Sequence, residues 1–354
     1  MRKMYLMRRL AYALLSVATL SAGLTFGWSQ RPSLTWLGTP PRGIRSWAFG
    51  VSADGSVVVG SAYNAALMSR ALRWVNGVIQ DLGTLGGNEG AAYDVSADGS
   101  IVVGAASNAV GYSRAFRWTE AGGMQDLGTL GGDRSIAYGV SANGSVVVGA
   151  ASNVAGYSRA FRWTEAGGMQ DLGTLGGDRS IAYGVSADGN VIVGLAATAT
   201  GPWHAFRWTE TGGMQDLGTL GGYESYANGV SADGSVVVGV AYIDSVIYHA
   251  FRWTLSGGME DLNIIYADLL NGSELLEASA ISPNGRYIVG WGFNLNTQRI
   301  EAFLLDTVPE PLNLLVLSVG LVGLLTHRCK RSHSRSMSRA STTMKISTET
   351  SRNK

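Results

Sequence analysis

An all-β, six-bladed β-propeller is the fold this sequence predicts, and three observations predict it. A block of about 45 residues recurs six times, each block holds four short strand-like runs, and the two ends of the array are incomplete in a complementary way. The period is carried by three landmarks. V-S-A-D/N-G starts at Val51, Val95, Val140, Val185 and Val230, with ISPNG from Ile281. R/H-A-F-R-W starts at Arg70, Arg114, Arg159, His204 and His249, with EAFLL from Glu301. D-L-G-T-L-G-G starts at Asp81, Asp126, Asp171 and Asp216, with DLN from Asp261.

Within a unit, runs such as AYGVS, SVVVGAA, RAFRWT and MQDLGT are rich in Val, Tyr, Phe, Trp and Thr and are separated by turn residues, which predicts four strands. Ala-Asp-Gly joins the first two, because Gly takes the positive φ that a short hairpin needs. A Gly-rich turn, Glu120–Gly123 in one copy and Asn76-Gly77 in another, joins the last two. VVVG is apolar on both faces, as expected of a sheet packed between two neighbours.

The ends bear on closure. The sixth unit supplies three runs, EASAIS, RYIVGWG and EAFLLD, and lacks a fourth. Ahead of the first unit stands an orphan, Ser33–Thr39, whose TWLGT is in register with QDLGT one period later. The sequence predicts that this N-terminal strand completes the sixth blade and removes both open edges. It also predicts a partly buried ion pair in each blade, between the fourth residue of the third strand and the Asp of the fourth: Arg73–Asp81, Arg117–Asp126, Arg162–Asp171, Arg207–Asp216 and Arg252–Asp261. On that reading Asp126→Ala destabilises by about 3 kcal/mol, and Leu304 and Trp36 mark a junction from which both charges have gone.

These landmarks resemble the HAF-repeat family of bacterial extracellular proteins. His204-Ala205-Phe206 and His249-Ala250-Phe251 carry the triplet that names it, and DLGTLGG is its second hallmark. The resemblance covers about residues 33–306. It implies export and brings no catalytic residues.

The termini agree with export. Met1–Gln30 has a basic start (Arg2, Lys3, Arg8, Arg9), an apolar Leu10–Leu24 and small residues at Ser21, Ala22 and Gly23, the layout of a signal peptide. Residues 307–331 carry Val308-Pro309-Glu310-Pro311, an apolar run Leu312–Leu325 and a basic cluster with Arg328, Lys330 and Arg331. The run is short for a full membrane span. This arrangement is similar to the PEP-CTERM sorting signal, which implies an exosortase-type processing enzyme as partner and membrane contact through Leu312–Leu325 before processing. Residues 332–354 read as a disordered Ser/Thr/Arg/Lys-rich tail.

Composition narrows the chemistry. The net charge is +1, which gives no global field for nucleic acid. The single cysteine, Cys329, leaves the repeats without disulfides, which a core of this size does not need. No cofactor motif is present: LGTLGG precedes a strand and has no Lys-Ser/Thr, and Ser-Ala-Asp-Gly lacks the ligand spacing of a calcium loop. His204 and His249 sit in different blades with no metal-ligand cluster, so no metal is expected. Candidate ligand-binding residues lie in the loops that gather on one propeller face: Asp133, Arg134, Asp178, Arg179, Tyr223 and Glu224 between blades, and Tyr112, Tyr157, Trp203 and Tyr248 beside the loops joining the second and third strands. The functional expectation is an exported surface or matrix protein that binds rather than catalyses, with exopolysaccharide or surface proteins as partners. The alternative is a lyase- or glycosidase-like enzyme at the channel mouth.

Overall fold

The computed structural model describes residues 36–308. The signal-peptide segment, the sorting motif from Pro309 through Pro311 to Arg328, Lys330 and Arg331, the apolar run 312–325 and the tail 332–354 lie outside them. Among the described residues no helix is long and apolar enough to cross a membrane.

The chain is a β-propeller of six antiparallel meanders in series. The first blade is β1 (Ser46–Val51), β2 (Val57–Tyr63), β3 (Ser69–Val75) and β4 (Val78–Asp81). The second is β5 (Gly86–Val95), β6 (Ile101–Asn108), β7 (Ser113–Thr119) and β8 (Gly123–Asp126). The third is β9 (Gly131–Val140), β10 (Val146–Asn153), β11 (Ser158–Thr164) and β12 (Gly168–Asp171). The fourth is β13 (Gly176–Val185), β14 (Ile192–Thr198), β15 (Trp203–Thr209) and β16 (Gly213–Asp216). The fifth is β17 (Ser225–Val230), β18 (Val236–Tyr242), β19 (Tyr248–Thr254) and β20 (Gly258–Asp261). The sixth is β21 (Glu274–Ile281), β22 (Tyr287–Asn294) and β23 (Arg299–Asp306), with three strands among the described residues.

The apolar core lies between blades. At the junction of the second and third blades, Val103, Ala115 and Leu127 pack with Ala137, Val140, Val147, Phe161 and Trp163. Phe116, Phe161, Phe206 and Phe251 are fully buried in equivalent places. Burying one such ring contributes about 2–3 kcal/mol, so each junction is a small core of its own. The first strands of successive blades pack on one another and therefore converge on the axis.

Local chemistry fixes the hairpins. In the first turn of each blade a carboxylate or amide oxygen gathers the loop: Asp98 Oδ1 accepts from Ser96 Oγ at 2.6 Å and from the Ser100 N–H at 3.0 Å. These hydrogen bonds hold the Asp54 and Asp233 carboxyls down at about 2. The turn is a structural clasp, as its spacing predicts. Its backbone also ties the blades together. The N–H of Ala53 donates to Ala97 O, Ala97 to Ala142, Ala142 to Ala187, Ala187 to Ala232 and Ala232 to Pro283, all at 2.9–3.1 Å.

Between the fifth and sixth blades two one-turn helices, α1 (Leu262–Ile265) and α2 (Ala267–Leu270), replace the DLGTLGG linker. Asn263 takes over the linker's role: its amide donates to Leu275 O at 2.9 Å and accepts from the Leu275 N–H at 2.7 Å.

The ion-pair expectation is corrected. Arg73 does not pair with Asp81. The register sets Asp81 opposite Leu72 and Gln80 opposite Arg73, so Arg73 emerges on the other face. The partner of Asp81 is Arg70, at 3.0 Å; Arg114–Asp126, Arg159–Asp171, His204–Asp216 and His249–Asp261 repeat the pairing. Most of these carboxylates are well exposed. The register likewise keeps Arg117, Arg162 and Arg207 off the face of Asp126, Asp171 and Asp216, while Arg252 bonds Glu260 directly across the strand at 2.7 Å.

Closure is not seen among the described residues. Trp36–Thr39 is coil, with Trp36 87% exposed, and it does not pair with the sixth sheet. Leu37 instead packs on Ala62, Leu72 and Trp74 of the first blade, where burial of its side chain holds the segment.

Candidate functional site

Every inner strand carries a one-residue bulge at the same register. Pairing jumps from Ala48 to Gly50, Ala92 to Asp94, Ala137 to Gly139, Ala182 to Gly184, Ala227 to Gly229 and Ala278 to Ala280. A bulged residue has no cross-strand partner, and its side chain is re-aimed by the local kink. Here the bulged residues are Phe49, Tyr93, Tyr138, Tyr183, Asn228 and Ser279. The four rings form a continuous row. Their centroids are 5.7 Å apart from Phe49 to Tyr93, 5.8 Å from Tyr93 to Tyr138 and 5.4 Å from Tyr138 to Tyr183. Tilted and edge-on contacts of this kind suit the ring quadrupoles.

The tyrosines are half-buried, which raises their phenol pKa values. Tyr138 is pushed to about 12 by burial first and by Tyr183 and Tyr93 second. The row therefore presents neutral hydroxyls and apolar ring faces. The next position is polar: the Asn228 amide donates to Glu277 Oε1 at 3.2 Å and to Ala278 O at 3.1 Å. An aromatic platform that ends in an amide and a carboxylate can stack on a ligand and hydrogen-bond its hydroxyls.

The loop residues expected to bind ligand fall into two patches. In the first, the Arg179 guanidinium lies 5.7 Å from the Tyr157 ring of the preceding blade and 4.0 Å from Asp178. That contact brings Arg179 of β13 against the loop joining β10 and β11. Asp133 and Arg134 occupy the same exposed stretch one blade earlier, with the Arg134 N–H bonded to Ser152 Oγ at 2.9 Å. Tyr112, 38% exposed, repeats the Tyr157 position.

The second patch joins the fifth and sixth blades. Tyr223 stacks on Tyr242 at 5.2 Å, Tyr242 on Tyr248 at 5.5 Å and Tyr248 on Trp291 at 6.2 Å. Glu224 accepts from the Tyr226 hydroxyl, whose pKa is raised by burial and by that bond. Trp203 is half-buried at the start of β15, opposite Ala197. Val308 is exposed beyond β23.

The bulged row was missed by sequence reading because AYGVS scans as an ordinary strand. A signal was present: an aromatic stands directly before the Gly or Asp of the same register in Phe49-Gly50, Tyr93-Asp94, Tyr138-Gly139 and Tyr183-Gly184. Among the described residues no group of three His, Cys, Asp or Glu side chains could hold a metal ion.

No family profile and no curated protein sequence matches the chain. Among solved structures it is similar to TolB from Acinetobacter baumannii, with 15% identity, a TM-score of 0.45, and coverage of 61% of this chain and 53% of that one. The chain thus spans about half the length of that protein. It is also similar to a protein assigned as TolB from Agrobacterium tumefaciens (14% identity, TM-score 0.49, 75% of this chain and 90% of that one). A third is the β-propeller domain of the Trilobed protease from Pyrococcus furiosus, which has an open velcro topology (11% identity, TM-score 0.48, 75% and 84%). The fold description rests on the sheet topology given above.

Proposed function

We propose that this chain is an exported, surface-directed propeller that binds glycan chains along its inner aromatic row, acting as a binding and structural component of the cell envelope or extracellular matrix. The observation that carries the binding half is the bulge repeated in every inner strand, which aims Phe49, Tyr93, Tyr138 and Tyr183 out of the sheets and into one row. Ring faces of this kind stack on the apolar faces of sugar rings, and Asn228 and Glu277 supply donors and acceptors for hydroxyls. The export half rests on the basic and apolar start of residues 1–30 and on the Val308–Pro311 motif with its apolar run and basic cluster. An exosortase-type enzyme is the partner that such a C-terminal signal calls for.

The test for binding is titration of the full chain with a neutral β-linked glucose hexasaccharide and with acidic alginate oligosaccharide. Tyr138→Ala should weaken binding roughly 30-fold, the equivalent of about 2 kcal/mol. Equal binding by wild type and Tyr138→Ala would remove the row from the reading. Export is tested by protease accessibility on whole cells and by mass spectrometry of the mature C-terminus, which should end within or beside Val308–Pro311.

A further inference from the structure

The first and last blades each carry one bare face, and the two faces are halves of the contact that recurs at every internal junction. Val103 and Ala115 of the second blade are buried against Val140 of the third, and Val148 of the third is buried with Val185 of the fourth. The sixth-blade counterparts of Val103 and Ala115, which are Val289 and Ala302, stand in the open, Val289 at 41%, and Leu304 beside them, at the arginine register, is 67% exposed. Val51, the first-blade counterpart of Val140, is 59% exposed. Stacked-repeat proteins stay soluble by giving their end repeats a polar outer face. Among the described residues these ends have no such cap.

The residues that change at the ends change together. At the first two internal junctions the strand-three arginine reaches an acid on the next blade: Arg73 to Glu120 at 3.1 Å and Arg117 to Glu165 at 3.9 Å. In the sixth blade that register is Leu304, opposite Val289 as Arg73 is opposite Val59. The first blade, which would receive it, has the short turn Asn76-Gly77 and no acid there. The within-blade pair is replaced in the same way: Glu301 stands where Arg70 stands, and Trp36 stands where an Asp would face it. Finally, Leu37 sits on Leu72 and Trp74 just as Leu127 sits on Phe161 and Trp163. The chain enters the first blade as if leaving the fourth strand of a blade before it.

In this structure that preceding blade is not the sixth blade of the same chain, because Val51 and Leu304 are exposed in one molecule. We infer that the Leu304 face docks on the Val51 face of a second copy of this chain. The contact is head-to-tail, so it propagates instead of closing at two copies. It forgoes one element of the internal junctions: Pro283 has no N–H to continue the Ala-to-Ala hydrogen bonds between hairpins. The assembly is therefore reversible and depends on concentration.

The test is crosslinking of the full chain in a Cys329→Ser background with Val51→Cys and Val289→Cys, using a short bifunctional maleimide. The expected result is a ladder of covalent multimers on a denaturing gel, absent from either single-cysteine chain. Crosslinks confined to a faster-migrating monomer would show a ring closed within one chain and overturn the inference, as would no crosslink at all. Sedimentation of Leu304→Glu supplies a second reading. The substitution is at an exposed site, so the melting profile should hold while the multimers collapse to monomer; multimers that survive it also overturn the inference.

Discussion

Asp94 accepts a hydrogen bond at 2.9 Å from the backbone N–H of Val140 in the neighbouring blade, and its other oxygen takes the N–H of Val95 at 2.8 Å. The same register holds Gly50, Gly139, Gly184 and Gly229 in other blades, and the bare backbone at Gly139 leaves room for the carboxylate. Burial pushes Asp94 up to about 6 against the pull of those two donors. The folded state therefore favours the protonated acid. Its contribution is fully present below about pH 4 and is lost as pH rises through about 6. Urea unfolding across that window should show stability falling by up to about 3 kcal/mol from this group, and Asp94→Asn should remove the slope. An identical slope in the variant would assign it elsewhere.

The Arg114–Asp126 pair, at 3.3 Å with the aspartate side chain 37% exposed, is a surface pair. Asp126→Ala should cost about 1 kcal/mol, for the loss of a screened ion pair and of the Asp126 bond to the Gly128 N–H. A loss of 3 kcal/mol in denaturant unfolding would restore the buried-pair expectation.

His249 and Asp261 are a different case, although the sequence pairs them at the same positions as His204 and Asp216. Asp261 is only 6% exposed, against 43% for Asp216, and it lies 2.6 Å from the imidazole. His249→Ala leaves a buried carboxylate without its partner and should cost about 3 kcal/mol. His204→Ala should cost less than about 1 kcal/mol. Equal losses in parallel urea titrations would contradict the burial difference.

The glycine of VVVG is a point of close approach. A Cβ on Gly149 would lie 2.0 Å from Ile136 O, and the same collision recurs at Gly60, Gly104, Gly194, Gly239 and Gly290. The obstacle is backbone, which cannot turn aside as a side chain would. Gly149→Ala should cost about 3 kcal/mol or more. Thermal unfolding would read this as a large drop, and an unchanged midpoint would mean the inner strand can move.

How far the sequence could be read depended on parity. The period, the four strands and the Asp-Gly hairpins follow from residue types alone and match β1–β23. The charge pairing did not, because RAFRW offers two arginines three residues apart, and these point to opposite faces of a strand. Only the observed register, Leu72 opposite Asp81, decides for Arg70 over Arg73. Closure by residues 33–39 is not seen among the described residues, which begin at Trp36. TWLGT does occupy its linker register, but what Leu37 seeks is the Leu72 and Trp74 surface at hand, and that contact says nothing of where the strand before it goes. For the loop candidates, one-dimensional reading could not show that Arg179 meets Tyr157 while Tyr223 meets Tyr242.

The bulges carry an evolutionary consequence. Duplicated units begin as copies, and the second and third blades still nearly are. Most positions in such a copy are locked, because a change disturbs two neighbouring blades at once. The bulged residue has no partner strand to satisfy and answers only to its neighbours in the row. The inner edge thus spells a six-letter word, Phe-Tyr-Tyr-Tyr-Asn-Ser, in which each letter can be rewritten without respelling the fold. Change along this inner edge can proceed one blade at a time, at a single codon per blade.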